Sequence, residues 1–252
     1  MTLRIASYNL HKCKGTDRRT DPGRVVDVLN SIGADVVALQ EVDYRLGQRP
    51  EALPRAMLEQ HTDHAALDLA LSPVSLGWHG QTILLRQGLS ARSVQRIDLP
   101  GLEPRGAVMA EIDTGSGPLR VVGVHLGLMR QSRLRQLQTI RDTMALRPQM
   151  PSIILGDFNE WSATRGLDPL LDEFVVHAPG RSFHASRPVA ALDRVALGQG
   201  IEMRDAGVIE TALSRLASDH LPIWADVRVQ KAAPRGSSPR FDHAAQPGSV
   251  GP

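Results

Sequence analysis

Eight short apolar runs, over residues 3–10, 35–40, 82–86, 107–112, 119–125, 152–156, 192–197 and 222–229, constrain this chain most. Each has the length of a strand and is bounded by Gly, Pro or Asp, so the runs read as buried strands. Two helical segments lie between them. Asp21-Pro22-Gly23 supplies an N-cap and a first-turn proline for a helix over 24–32 that stops at Gly33. Leu134, Leu137, Ile140 and Met144 give helical spacing over 131–145. With 252 residues, 42% of them hydrophobic, the chain can bury a large core, and one α/β domain over 1–230 is expected. From Lys231 the composition turns to Ala, Pro, Gly, Ser and Arg, and 231–252 is expected to be a disordered tail.

Charge excludes little. The net charge is +2, and the tail carries three basic residues against one acidic, so the body is balanced. A balanced body gives no bulk electrostatic case for a polyanion, and nucleic acid is neither implied nor excluded. No window approaches the roughly 18 apolar residues of a membrane span, and the first residues enter a strand pattern without a signal-peptide core, so a cytoplasmic protein is expected. Cys13 is the single cysteine, which forbids an intramolecular disulfide and a cysteine-cluster zinc site. It reads as a packing thiol.

Polar residues gather where the runs end. Asn9 closes the first, Glu41 follows the second, His125 closes another, and Asp157 and Asn159 follow Ile153-Ile154-Leu155-Gly156. Asp193 interrupts an apolar run, and Asp219-His220 precedes Leu221-Pro222-Ile223. Singly, each has an ordinary explanation: a strand-end cap for Asn9, a core histidine for His125, an ion pair with Arg194 for Asp193. Together they supply what phosphoester hydrolysis needs: a cation site, an oriented water and a proton acceptor. Glu41 with Asn9 makes a hard oxygen site suited to Mg²⁺ or Mn²⁺. His220 can switch protonation near neutrality, and Asp193 is its natural carboxylate partner.

Ser7-Tyr8-Asn9, Leu39-Gln40-Glu41-Val42, His125-Leu126, Gly156-Asp157-Phe158-Asn159, Leu192-Asp193-Arg194-Val195 and Ser218-Asp219-His220-Leu221-Pro222 occur in one order. In this the chain resembles the endonuclease/exonuclease/phosphatase (DNase-I-like) superfamily, most of all its small bacterial cytoplasmic members. The resemblance implies a four-layered α/β/β/α sandwich with two packed mixed β-sheets and a cleft at one edge of both. It implies a metal held by Glu41 with Asn9 and Asp219 close by, Asp157 orienting water, Asn159 and His125 contacting phosphate, and Asp193 with His220 as an acid/base dyad. Two departures stand out. His11 occupies a position where many relatives carry Asp, which leaves a second metal in doubt, and Gln81 stands where relatives often have Asn.

The expected activity is that of a divalent-metal-dependent phosphoester hydrolase, a phosphodiesterase or phosphatase, acting on a small or lipid-derived phosphoester. A DNA or RNA endonuclease or exonuclease is the alternative, and a noncatalytic scaffold the third reading. His11, Gln81 and Arg45 are expected to touch substrate phosphate, with Arg130 and Arg133 as further candidates for an anionic rim. The loops over 48–79 and 179–188 are the natural places to choose substrate, and Ser182-Phe183-His184 is equally open to substrate contact and to packing.

Overall fold

A computed structural model describes residues 2–162 and 165–230; the expected tail lies outside the described residues. In chain order the elements are β1 (Thr2–Asn9), α1 (Pro22–Ile32), β2 (Val36–Gln40), α2 (Arg55–His61), β3 (His64–Ala66) and β4 (Gln81–Arg86). β5 (Ser90–Leu99), β6 (Arg105–Thr114), β7 (Gly117–His125), α3 (Arg130–Ala145) and β8 (Ser152–Asp157) follow. β9 (Phe174–His177), β10 (Asp193–Gly198), β11 (Ile201–Val208), α4 (Ala212–Ala217) and β12 (Ile223–Val229) complete the series. Among the described residues no helix is long and apolar enough to cross a membrane.

The strands form two six-stranded sheets, ordered β11-β12-β1-β2-β4-β3 and β5-β6-β7-β8-β10-β9. Each contains one parallel pair, β1 with β2 and β7 with β8, bridged by α1 and α3. The other pairings are antiparallel, so both sheets are mixed. Side-chain alternation then builds the layers. On β1, Leu3 and Ile5 join Val121, Ile153, Leu155 and Val195 of the facing sheet in the central core. Ala6 and Tyr8 turn outward to meet Val25, Leu29 and Ile32 of α1. Likewise Val122, Val124 and Ile154 face outward against Leu137, Ile140 and Met144 of α3. The result is the expected α/β/β/α sandwich, whose inner strands are apolar on both faces because both faces are covered.

Local chemistry sets the boundaries. The Asp21 side chain accepts the Arg24 N–H at 3.3 Å, Pro22 opens α1, and Gly33 ends it in the left-handed conformation at φ 63°. Cys13 is buried, and burial pushes its thiol up to about 12, as a packing role requires.

Gly156, in register with Val124, matters most for the cleft. Its φ is 150°, and a Cβ there would stand 1.9 Å from the Val124 carbonyl oxygen. Only glycine lets β7 and β8 approach this closely immediately before Asp157. Gly156→Ala is expected to cost at least about 4 kcal/mol, lowering Tm by at least about 8 °C for a chain of this size. A thermal melt matching wild type would contradict this account of the β7–β8 junction.

Candidate active site

Strand register brings the sequence-distant polar residues into line. The parallel pairing of β7 with β8 sets His125 beside Asp157, and the antiparallel pairing of β8 with β10 sets Asp157 beside Asp193. Across the facing sheet the same edge carries Asn9, paired with Gln40, which pairs with Gln81. His220 arrives on the segment before β12. Ser218 Oγ donates to the Asn9 carbonyl at 2.7 Å, and the Leu221 N–H donates to the Ser182 carbonyl at 2.8 Å.

The focus is the buried carboxylate of Asp157. Asn9 Nδ2 donates to its Oδ2 at 3.0 Å, His125 Nε2 lies 3.4 Å from that oxygen, and His220 Nε2 lies 3.7 Å away. Its Oδ1 accepts the Asn159 N–H at 2.9 Å. Asn159 has φ 50°, a conformation asparagine tolerates, and its amide donates to the Leu126 carbonyl at 2.9 Å. Behind the histidine, His220 Nδ1 stands 2.8 Å from Asp193 Oδ2, which also accepts the Ser182 hydroxyl at 2.5 Å.

Electrostatics divides the two histidines. Burial, reinforced by the charges of Arg105 and His220, holds His125 well below the usual histidine value, so it is neutral at neutral pH. Burial also disfavours charge on His220, but Asp193 and Asp157 overcome it and raise that imidazole to about 10. Asp157 is lifted by burial, lowered by His220 and raised again by Asp193, ending near 6. Burial thus works against the charged form of Asp157, while the neighbouring carboxyl groups favour the protonated form of His220.

A second carboxylate sits beside this cluster. Glu41, whose side chain is 12% exposed, forms ion pairs with Lys12 on Oε2 and with Arg45 on Oε1, the latter at 2.8 Å. Burial raises the Glu41 carboxyl, and Lys12, with Arg45 and His11, more than offsets this and leaves it below its ordinary value. A buried, ionised carboxylate that gathers cationic side chains on both oxygens fits a hard divalent cation. His11 faces Asp219, with Nδ1 3.7 Å from Oδ1, and its N–H donates to Asn9 Oδ1 at 3.1 Å. Among the described residues no three His, Cys, Asp or Glu side chains gather as a protein-only metal cage. An ion such as Mg²⁺ needs none, since it keeps several waters.

Some expectations require correction. Gln81 is buried, and its amide donates to the Gly106 carbonyl of β6, so it braces one sheet against the other instead of lining the cleft. Arg133 is not on a rim. It is buried, donating to Glu160 Oε2 at 2.7 Å and to the Leu128 carbonyl at 2.6 Å. Arg194 turns from Asp193 to the Glu160 carbonyl at 3.3 Å. Arg130 lines an open cavity of about 400 Å³ with Glu160, Trp161, Ser162 and Arg165, separate from the one lined by Glu41 and His125. Sequence reasoning missed Lys12 as a partner of Glu41 and the hydroxyl of Ser182 as a partner of Asp193. Nothing in a lone serine within a loop signals such a role.

Two packed mixed sheets with carboxylates and histidines at one common edge define a DNase-I-like sandwich. The chain belongs to the Endonuclease/Exonuclease/phosphatase family, whose model matches residues 6–220. Enzymes of that description hydrolyse phosphoesters. No curated protein matches the sequence. Among solved structures, a functionally unknown conserved protein from Enterococcus faecalis V583 is 20% identical, with a TM-score of 0.74, covering 90% of this chain and 100% of that one. A mannosyl-6-phosphatase from Bacteroides thetaiotaomicron VPI-5482 is 14% identical, with a TM-score of 0.71, covering 90% and 99%. D. rerio TDP2 complexed with a single-strand DNA product is 17% identical, with a TM-score of 0.69, again covering 90% and 99%. At these identities the likeness is one of fold.

The electrostatics can be checked by NMR titration of the histidine rings in metal-free protein. Asp193 raises the His220 pKa, so Asp193→Asn must lower it. Wild-type His220 should remain protonated to about pH 10, and the variant should lose that proton at clearly lower pH. An unchanged titration would mean that Asp193 does not stabilise the imidazolium.

Proposed function

We propose that this protein is a divalent-metal-dependent phosphoester hydrolase in which Asp157 activates water, with the Asp193–His220 pair beside it. The observation that carries the proposal is the convergence of Asn9, His125 and His220 nitrogens on one oxygen of buried Asp157. Such a carboxylate is costly to build unless it is used, since burial disfavours its charge and each donor must be positioned.

Glu41 would hold the cation, with Asn9 and Asp219 as its further ligands. When bound, a divalent cation supplies positive charge to the phosphoryl oxygens. Asp157 accepts a hydrogen bond from the attacking water and takes its proton, because the imidazolium of His220 has none to gain. His220 donates from Nε2 to the charge that develops on phosphorus-bound oxygen, and Asp193 fixes its orientation through Nδ1. His125, held neutral, and Asn159 offer N–H groups from the same edge. The catalytic domain is residues 1–230, and a small or lipid-derived phosphoester is the preferred substrate because the body carries no excess positive charge. The single buried cysteine suits a reducing, cytoplasmic setting.

One observation favours a nuclease as the second reading. Trp161, 65% exposed, lies edge-on to Phe183 with ring centroids 6.1 Å apart, and Phe183 in turn lies 5.0 Å from the His220 ring. An exposed aromatic beside the reaction centre suits a stacked base. TDP2 was likewise crystallised with a single-strand DNA product.

Turnover in Mg²⁺ or Mn²⁺ should be measured on bis-p-nitrophenyl phosphate, p-nitrophenyl phosphate, inositol phosphates, phospholipids and oligonucleotides. His220→Ala and Asp157→Ala should each lose at least about a hundredfold in turnover, and chelation should abolish it. Wild-type turnover in both variants would sink the mechanism. Oligonucleotide cleavage that falls steeply with salt would select the nuclease reading.

A further inference from the structure

Lys12 has no part in the mechanism just described, yet the chain is bent to place it. His11, Lys12 and Cys13 have successive φ values of 48°, 57° and 58°, a left-handed run containing no glycine. Each such residue is disfavoured for an L-amino acid, and three in a row persist only where the surroundings dictate them. Here they do. The His11 N–H donates to Asn9 Oδ1 at 3.1 Å, the Lys12 N–H to the Glu41 carbonyl at 3.1 Å and the Cys13 N–H to the Leu10 carbonyl at 2.8 Å. The Cys13 side chain is sunk in the core beneath α1.

Glu41 is left-handed as well, at φ 55°. Both partners of the Lys12–Glu41 ion pair therefore stand on backbone that ordinary residues avoid, and they are joined main chain to main chain. The Lys12 side chain is only 24% exposed, whereas Arg45, on the other Glu41 oxygen, is 61% exposed. Solvent screens the arginine pair far more than the lysine pair. Lys12, Glu41, Arg45, Arg105 and His125 line one cavity of about 110 Å³, and His125 is in contact with Asp157. An ammonium on a flexible four-carbon stem can leave Glu41 without leaving this cavity.

We infer that Lys12 serves two anions in turn: the Glu41 carboxylate when no divalent cation is bound, and the substrate phosphoryl group once a cation has taken Glu41. The inference rests on the proposed role of Glu41 as the metal carboxylate. It makes Lys12 a competitor of the metal and, in the loaded enzyme, a phosphate ligand. Releasing the ammonium then adds a positive charge at the reaction centre at the moment substrate can be turned over.

The test is Mn²⁺ binding to metal-stripped protein, read from the paramagnetic resonance of the free ion. Lys12→Met removes the charge and keeps most of the stem, and Lys12→Gly suits the left-handed backbone and guards against misfolding. Both variants should bind Mn²⁺ at least about tenfold more tightly than wild type, while Glu41→Ala should lose the ion. At saturating Mn²⁺, inorganic phosphate should bind Lys12→Met at least about fivefold more weakly than wild type. Unchanged or weaker Mn²⁺ binding in both Lys12 variants, with Glu41→Ala still losing the ion, would overturn the competition and leave the metal assignment standing. Wild-type Mn²⁺ affinity in Glu41→Ala would overturn both. Unchanged phosphate affinity in Lys12→Met would overturn the second role of the ammonium.

Discussion

The hydrogen bond from Asn9 to Asp157 is the interaction on which the site depends. It crosses from the last residue of β1 to the last residue of β8, tying together two sheets that meet largely through apolar side chains. The same two residues anchor other parts. The Asn9 side chain accepts from the His11 N–H, its carbonyl accepts from Ser218, and the Asp157 carboxylate also orders the loop carrying Asn159. Without that bridge, the left-handed turn, the His220 segment and the Asn159 loop would each lack a reference point. A buried polar link is costly when half made and specifies one arrangement when complete.

Much of the fold was legible in the sequence, and what was missed follows a rule. All eight inner strands announce themselves as apolar runs. The four that do not, β3, β5, β9 and β11, are the four edges of the two sheets. An inner strand is covered on both faces and reads as continuous hydrophobicity. An edge strand such as β5, Ser90-Ala91-Arg92-Ser93-Val94-Gln95-Arg96-Ile97-Asp98-Leu99, is exposed at alternate positions along most of its length. Its polarity also guards the open edge against unwanted pairing.

The candidate site divides in a similar way. Asn9, His125, Asp157 and Asp193 could be singled out because they interrupt or end apolar runs, where a polar residue needs a reason. Gln81 is singled out only by its place in the family resemblance, and its role is structural: it braces β4 against β6. Lys12 and Ser182 stand in polar surroundings where no contrast exposes them, and only the register and loop path bring them to Glu41 and Asp193. Arg133 shows the converse error. An arginine-rich helix looks solvated, but this guanidinium points inward and clamps the loop after β7 to Glu160.

The place of β1 within its sheet has a temporal consequence. β1 lies between β2 and β12, with Thr2 opposite Arg228, so the centre of that sheet joins segments far apart in sequence and stays open until β12 has been synthesised. Pairings of such long sequence separation close late, after the local hairpins of the other sheet. His220 lies immediately before β12. His220 thus reaches Asp157 and Asp193, both made earlier in the chain, only as this late pairing closes.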